Sequence, residues 1–138
     1  MLPTHPQIVR QVHSAALGLA FAHLSTALLA THELDGALDF ACKSVPLCVA
    51  DGMLWTRLDA LALLALRRGR LPEAARIAGR SCANNQRRSR RREPNGQRTR
   101  DEVMAALQGA FAEEELARLL SEGANLRDEE AANLAVAT

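Results

Sequence analysis

The sequence predicts an all-α protein of about six to seven helices, arranged as antiparallel hairpins. The apolar fraction of 48% consists mainly of Ala and Leu, and Ala, Leu, Arg and Glu are among the strongest helix formers. Aromatic residues make up only 3% of the 138 residues, which disfavours a core built from strands. Apolar residues also recur at helical spacing along the whole chain.

In the first two thirds of the chain, capping and breaking residues set the helix boundaries. Thr4 or His5 can cap a first helix with Pro6 at its first position, where the missing N–H costs nothing. Gly69 stands where a helix end requires a left-handed residue, and Pro72 opens the next helix. The helices predicted here cover about 6–31, 35–49, 53–68 and 72–92.

The last third begins at a strong stop signal, "EPNG" over 93–96. Proline restricts the preceding residue to extended backbone and Asn-Gly favours a turn, so we predict a connector over 93–98. Thr99 followed by Glu102 has the spacing of a capping box and predicts a helix start. Gly123 is expected to end the next segment, and the acidic residues 128–130 suit the N-terminus of a last helix.

An internal repeat is visible at a shift of 37 residues, which aligns "LDGA" at 34–37 with "LPEA" at 71–74. The small and apolar positions of this alignment resemble tetratricopeptide (TPR) repeats, although His32 stands in place of the corner Gly69. The resemblance implies a TPR-like superhelical array. We expect two degenerate repeats over 1–92 and a C-terminal helical hairpin and tail over 99–138, packed in the same domain. The predicted core consists of Leu24, Leu28, Ala37, Ala41, Leu58, Leu61, Ala65, Ala74, Ala78 and Phe111.

Two further stretches resemble a more specific family. "LDALALLALRRGRLPEAARIAG" (58–79) and "MAALQGAFAEEELARLLSEGANLRDEEAANLAV" (104–136) are similar to the last repeat and the tail of bacterial STAND-type ATPase transcriptional regulators of MalT- and LuxR-like architecture. The likeness covers roughly 24–136 and includes the connector "RREPN" (91–95). It departs from the family pattern at Arg127, where Ser or Thr usually caps the final helix.

This resemblance implies a non-catalytic scaffold from the C-terminal regulatory or protein-interaction region of such a regulator. The phosphate-binding pattern G-x-x-x-x-G-K-[ST] of an ATPase is absent. Because the chain ends at the family's tail phrase, the resemblance implies that the NTPase and a DNA-binding domain lie upstream of Met1. The implied partners are proteins: those domains in the same polypeptide, or a second copy of the chain. We expect a homo-oligomer.

Charge is distributed unevenly although the net charge is only +1. Residues 67–100 carry twelve Arg against two Glu, and 101–138 carry nine acidic residues against two Arg. The densest cluster comprises Arg87, Arg88, Arg90, Arg91, Arg92, Arg98 and Arg100. This cluster could bind nucleic acid through phosphates, which is the alternative function, but no aromatic residue is interleaved for base stacking. We favour a connector that pairs with the acidic tail of the same chain, and a contact with a partner protein is a third reading.

No arrangement of residues predicts catalysis, a metal site or a cofactor. Cys42, Cys48 and Cys82 have no paired Cys-x-x-Cys spacing, and we expect them to be reduced, buried thiols. His13 and His23 lie too far apart along one helix to share a metal ion. Ser25 and Ser44 occupy small-residue packing positions. We expect a protein that is not an enzyme.

The apolar stretch "ALGLAFAHLSTALLA" (16–30) is too short to span a bilayer comfortably and contains polar interruptions. It therefore predicts a buried helix rather than a membrane anchor. No basic segment precedes an apolar run at the N-terminus, so no secretory signal is expected. The predicted location is the cytoplasm, without a membrane partner.

Overall fold

A computed structural model describes residues 4–88 and 94–137, and within these residues the chain forms seven α-helices and no strand. A short 3-10 turn at Leu54–Arg57 precedes the third helix. The all-α prediction is confirmed. The helices are α1 (His5–Ala30), α2 (Leu34–Asp51), α3 (Leu58–Arg67), α4 (Leu71–Arg87), α5 (Pro94–Ala110), α6 (Glu113–Ala124) and α7 (Asp128–Val136).

The chain divides into two compact units, residues 1–54 and 55–138. The predicted segments 1–92 and 99–138 do not coincide with this division. The reason is that α3 packs against α4, α5 and α7, and α4 packs against α6 as well. The second hairpin, formed by α3 and α4, therefore belongs to the same unit as α5, α6 and α7. The first hairpin, formed by α1 and α2, is the other unit.

The first unit is the hairpin of α1 and α2. Small residues bring the two helices together: a Cβ on Gly18 would lie 2.9 Å from the Leu47 Cβ. The buried Ser25 hydroxyl donates a 2.7 Å hydrogen bond to the Ala37 carbonyl oxygen of α2. Thr4 caps α1, since its hydroxyl accepts from the Gln7 N–H as the sequence suggested.

Helix α1 corrects the expectation of a buried helix over 16–30. Only Gly18, Ala22, Ser25 and Leu29 of its 26 residues are buried, because α2 covers one face alone. Leu24, predicted to lie in the core, is 45% exposed. The phase of the helix explains this difference, because Ser25 and not Leu24 points at α2.

The second unit is built around α4, which contacts α3, α5, α6 and α7. Two glycines allow α4 and α6 to approach at backbone distance. A Cβ on Gly79 would lie 2.1 Å from the Leu120 carbonyl oxygen, and one on Gly123 would lie 1.8 Å from that of Arg76. Gly123 therefore lies within the last turn of α6 as a packing residue, and α6 continues to Ala124 rather than ending before it.

The turn that joins the two helices of each hairpin, which we call its corner, recurs at a spacing of 37 residues. In the first unit the N–H of Glu33 donates to Leu28 over 2.9 Å, and in the second the N–H of Arg70 donates to Ala65 over 2.9 Å. His32 and Gly69 hold the equivalent left-handed position, with φ of 63° and 79°. The expected left-handed conformation of Gly69 is confirmed.

The start of α5 differs from the prediction. The helix begins at Pro94, so residues 94–98 of the predicted connector are helical. Thr99 lies inside the helix, where its hydroxyl donates to the Asn95 carbonyl over 3.0 Å, and it does not cap a helix with Glu102. A proline at the first helical position lacks no hydrogen bond, which is why it can open a helix as readily as stop one.

Most of the predicted core is buried. The buried members are Ala37, Ala41, Leu58, Leu61, Ala65, Ala74 and Ala78. Leu28 and Phe111 are half-buried. Two buried polar residues on α4, Ser81 and Asn84, were not predicted from the sequence.

Candidate interaction site

The described arginines of the predicted cluster are dispersed over two helices. Arg87 ends α4, and Arg98 and Arg100 lie on α5. Arg87 and Arg98 are exposed and form no ion pair with the part of the chain that the structure describes. Arg100 instead donates a 2.8 Å hydrogen bond to the Ala78 carbonyl of α4. Arg90, Arg91 and Arg92 lie outside the described residues.

Arg88 covers an aromatic ring that the sequence places far away. Its guanidinium lies 4.1 Å from the centroid of the Trp55 ring, which is the distance range of a cation–π contact. The sequence offered no signal for this pairing, because 33 residues separate the two positions. The arginine cluster therefore has one aromatic neighbour in space, although no aromatic residue is interleaved in its own segment.

The acidic tail is paired with arginines that precede the predicted cluster. Arg80 Nε donates to Asp128 Oδ1 over 2.7 Å, and the buried Asn84 amide donates to the same oxygen over 2.8 Å. Arg76 pairs with Glu122 at 3.2 Å, and Arg67 with Glu102 at 2.6 Å. Pairing within the chain thus occurs, but through Arg67, Arg76 and Arg80.

Asp128 is the centre of this network. Burial is the largest influence on its pKa and raises it, but the hydrogen bonds from Asn84 and Arg80, together with the charges of Arg80 and Arg88, outweigh burial and leave the pKa below its ordinary value. The network therefore stabilises the fold above the ordinary Asp pKa of 3.8. Its contribution is lost as the pH falls through the folded-state value.

The first unit carries a surface of a different kind. Every exposed large apolar side chain in residues 4–88 and 94–137 belongs to the first unit; these are Ile8, Val9, Val12, Leu17, Leu19, Leu24, Val49 and Met53. Exposed apolar residues that occur singly are ordinary, but a contiguous group marks a surface for contact.

One part of this surface we name the open face: Leu17, Phe21 and Leu24 of α1 with Phe40 of α2. The two phenyl rings stack with centroids 5.8 Å apart, and Lys43 Nζ lies 5.2 Å from the Phe40 centroid. Phe21 and Phe40 are half-buried, whereas Leu17 and Leu24 are exposed. The open face is therefore an aromatic centre with an aliphatic border and one cation.

Two of the grooves in the described residues lie away from the open face, and both are lined by apolar and polar side chains. A groove of about 440 Å³ between α5 and α6 is lined by Met104, Phe111, Leu116 and Leu120, among others. Another of about 620 Å³ in the first unit lies between Arg10 and Asp51. Throughout the described ranges, no three His, Cys, Asp or Glu side chains are grouped so that they could hold a metal ion.

The three cysteines form no disulfide within the described residues, and they are not uniformly buried as predicted. Cys48 is buried, Cys82 is half-buried and Cys42 is exposed. Helix α1, for its part, is long and apolar enough to cross a membrane by length and composition alone, with a mean hydropathy of 1.4 over 18 residues.

The chain was compared with protein-family models, curated proteins and solved structures. No protein-family model, no curated protein and no solved structure matches the chain.

Proposed function

We propose that this chain is a non-catalytic, TPR-like helical scaffold that binds a protein partner through the open face of its first hairpin. It acts in the cytoplasm as the C-terminal regulatory or interaction region of an ATPase-linked transcriptional regulator. The observation that supports this proposal is the contrast between equivalent positions of the two hairpins. Leu24 is 45% exposed, whereas Leu61, its equivalent 37 residues on, is 5% exposed.

The same contrast holds at other equivalent positions of the two hairpins. Phe21 is half-buried and its equivalent Leu58 is fully buried. Cys42 is exposed and its equivalent Gly79 is buried against α6. The second hairpin has α5, α6 and α7 to cover these positions, but α1 packs only against α2 within its unit. Repeat proteins bury such faces by stacking neighbouring helices on them, so the uncovered face of the first hairpin is suited to bind a helix of a partner protein.

The chemistry of the open face fits a helical protein partner. Aromatic residues with an aliphatic border are typical of the centre of protein interfaces. The stacked phenyl rings lose little side-chain entropy on binding because a partly buried ring is already ordered. Lys43 is held near Asp39 at 3.1 Å on α2, so a partner carboxylate would compete with a weak surface ion pair.

Support for the regulator context comes from the sequence resemblance of 58–79 and 104–136. The test begins with the DNA upstream of the coding sequence, where an in-frame NTPase is expected. The polypeptide encoded there is then expressed separately, and its binding to the 138-residue chain is measured by calorimetry.

We expect Leu24→Glu to weaken this binding at least tenfold, because a carboxylate would be buried in the contact. Val12→Glu is the matched control, since it places the same charge on another face of the same helix and should leave the binding unchanged. If no NTPase is encoded in frame, the regulator context is wrong. If Leu24→Glu binds as well as the wild type, the open face is not the interface.

The stack of Arg88 on Trp55 favours a second candidate, a small nucleic-acid-binding protein that uses Arg87–Arg100. Arginine and an aromatic ring together form the kind of platform on which bases stack. Binding to a DNA duplex and to a single strand would be measured across a salt series, with Arg87, Arg88, Arg90, Arg91 and Arg92 all changed to Gln. Binding that falls steeply with salt and disappears in this variant supports the candidate, and the absence of wild-type binding excludes it.

A further inference from the structure

Helix α1 carries a second apolar surface, which we name the apolar stripe: Ile8, Val12, Ala15 and Leu19. The spacing of four, three and four residues is that of a heptad seam, in which one helix packs along another. Ile8, Val12 and Leu19 are exposed, and Val12 is the most exposed of them at 65%. A shallow groove of about 370 Å³ runs beside them and is lined by Val9, His13 and Ala16.

The apolar stripe belongs largely to a part of α1 that its own hairpin does not cover. Between His5 and Leu17 the helix buries no residue, and the first buried position is Gly18. Gly18 already meets Leu47, close to the end of α2 at Asp51. The N-terminal turns of α1 that carry Ile8 and Val12 are therefore exposed to a second helix, whereas Ala15 is half-buried in a groove beside Leu47 and Ala50 of α2.

The charge of this segment indicates what can occupy the apolar stripe. Between residues 4 and 32 there is no Asp or Glu, and Arg10 is the sole Arg or Lys. When two copies of one surface meet about a two-fold axis, every group faces the same set of groups, so a charged patch repels itself and a neutral one does not. The stripe has the neutrality that such a self-complementary contact requires.

We propose that the apolar stripe is a homodimer contact, in which α1 of one chain packs against α1 of a second copy. This contact would bury Ile8, Val12 and Leu19 of both chains. From Ile8 to Leu19 the stripe extends only about 17 Å at the rise of an α-helix, so the dimer is a weak one whose population depends on concentration.

This contact is separate from the open face. Leu19 and Leu24 are five residues apart, which places them about 140° apart around the helix axis. A chain can therefore dimerise through the apolar stripe while its open face is free. The dimer proposal does not depend on the proposed function.

Sedimentation equilibrium of the intact 138-residue chain over a concentration series tests the proposal. The weight-average mass should rise from 14.9 kDa for the monomer towards twice that value. Val12→Glu places a carboxylate in the seam of both copies, and we expect it to raise the dimer dissociation constant at least tenfold. Since Val12 is already largely exposed, the variant should keep the circular dichroism spectrum of the wild type.

Leu24→Glu is the matched control and should dimerise as the wild type does, because it lies on another face of α1. A wild-type chain that stays monomeric at its solubility limit overturns the proposal. So does a Val12→Glu variant with an unchanged dissociation constant, or a Leu24→Glu variant that is as defective as Val12→Glu. Flotation with phosphatidylcholine vesicles is the second measurement. Binding of a monomeric wild type, lost in Val12→Glu, would assign the stripe to a membrane surface instead.

Discussion

The two hairpins share a corner and differ in what surrounds them. In both, the first helix ends at one left-handed residue, and the backbone hydrogen bond that closes the turn is formed between equivalent residues 37 positions apart. Yet α3 packs against three helices of its unit, whereas α1 packs against one. The same local pattern thus yields a buried helix in the second unit and a largely exposed helix in the first.

This difference shows that helical periodicity identifies which positions can be buried, but not which are. Leu24 and Leu61 have the same residue type and the same place in the repeat, and only Leu61 is covered. Apolar burial contributes free energy only where another element is present to remove water. The covering elements of the second unit are α5, α6 and α7, which have no counterpart within the first unit.

The largest effect should come from closing the glycine contact between α4 and α6. Gly79→Ala would place a Cβ 2.1 Å from the Leu120 carbonyl oxygen, which is backbone and cannot move aside like a flexible side chain. We expect the free energy of unfolding of the second unit to fall by about 3 kcal/mol, through overpacking. Urea unfolding followed by Trp55 fluorescence reports on that unit.

Two further variants serve as controls for Gly79→Ala. Gly109→Ala makes the same chemical change in α5 where nothing lies within 4 Å, so it should stabilise the helix by up to about 1 kcal/mol. Cys42→Ala alters the position equivalent to Gly79 in the first hairpin and should have little effect, because Cys42 is exposed. A Gly79→Ala variant as stable as Gly109→Ala would contradict the close approach of α4 to α6.

The next effect compares Leu61→Ala with Leu24→Ala. Removing the buried Leu61 side chain leaves a cavity and should cost about 2.5 kcal/mol. The exposed Leu24 loses little contact, and we expect a cost below about 0.5 kcal/mol. Urea unfolding followed by both far-UV circular dichroism and Trp55 fluorescence measures the pair, and equal costs would show that the two positions are packed alike.

The smallest effect concerns the two corners. His32 holds a left-handed backbone at φ 63°, which is unfavourable for a residue with a Cβ. His32→Gly should therefore stabilise the first hairpin by about 1 kcal/mol, and Gly69→Ala should destabilise the second by about the same amount. Thermal unfolding by circular dichroism measures both, and an opposite sign for either would refute the equivalence of the corners.

The sequence was sufficient for the helices whose ends depend on local chemistry. The Thr4 cap and the left-handed Gly69 follow from preferences that operate within one turn of the chain. It was insufficient at Pro94, since a proline opens a helix as readily as it interrupts one, and only the neighbouring turns decide which. Leu24 was predicted to pack as Ser25 does, but of the two only Ser25 contacts α2, because one turn of helix cannot direct both side chains at the same neighbour.

For the candidate site, charge composition predicted that the arginine connector would pair with the acidic tail, whereas the ion pairs described between the two halves are made by Arg67, Arg76 and Arg80. It did not identify which arginines, because ion pairing depends on the helix faces that pack together. Arg76 and Arg80 lie where α4 meets α6 and α7, and the exposed Arg87 lies at the end of α4. The pairing of Arg88 with Trp55 likewise depends on two helix ends meeting in space.

By itself the sequence determined that the chain is helical, where most helices begin and end, and which residues form the corner of each hairpin. These properties depend on hydrogen bonds and backbone angles within a few residues. Only the tertiary structure decided that α4 is surrounded while α1 is left open along the apolar stripe and the open face. Burial depends on elements that are distant in the sequence, and a local pattern contains no information about which of them are present to cover it.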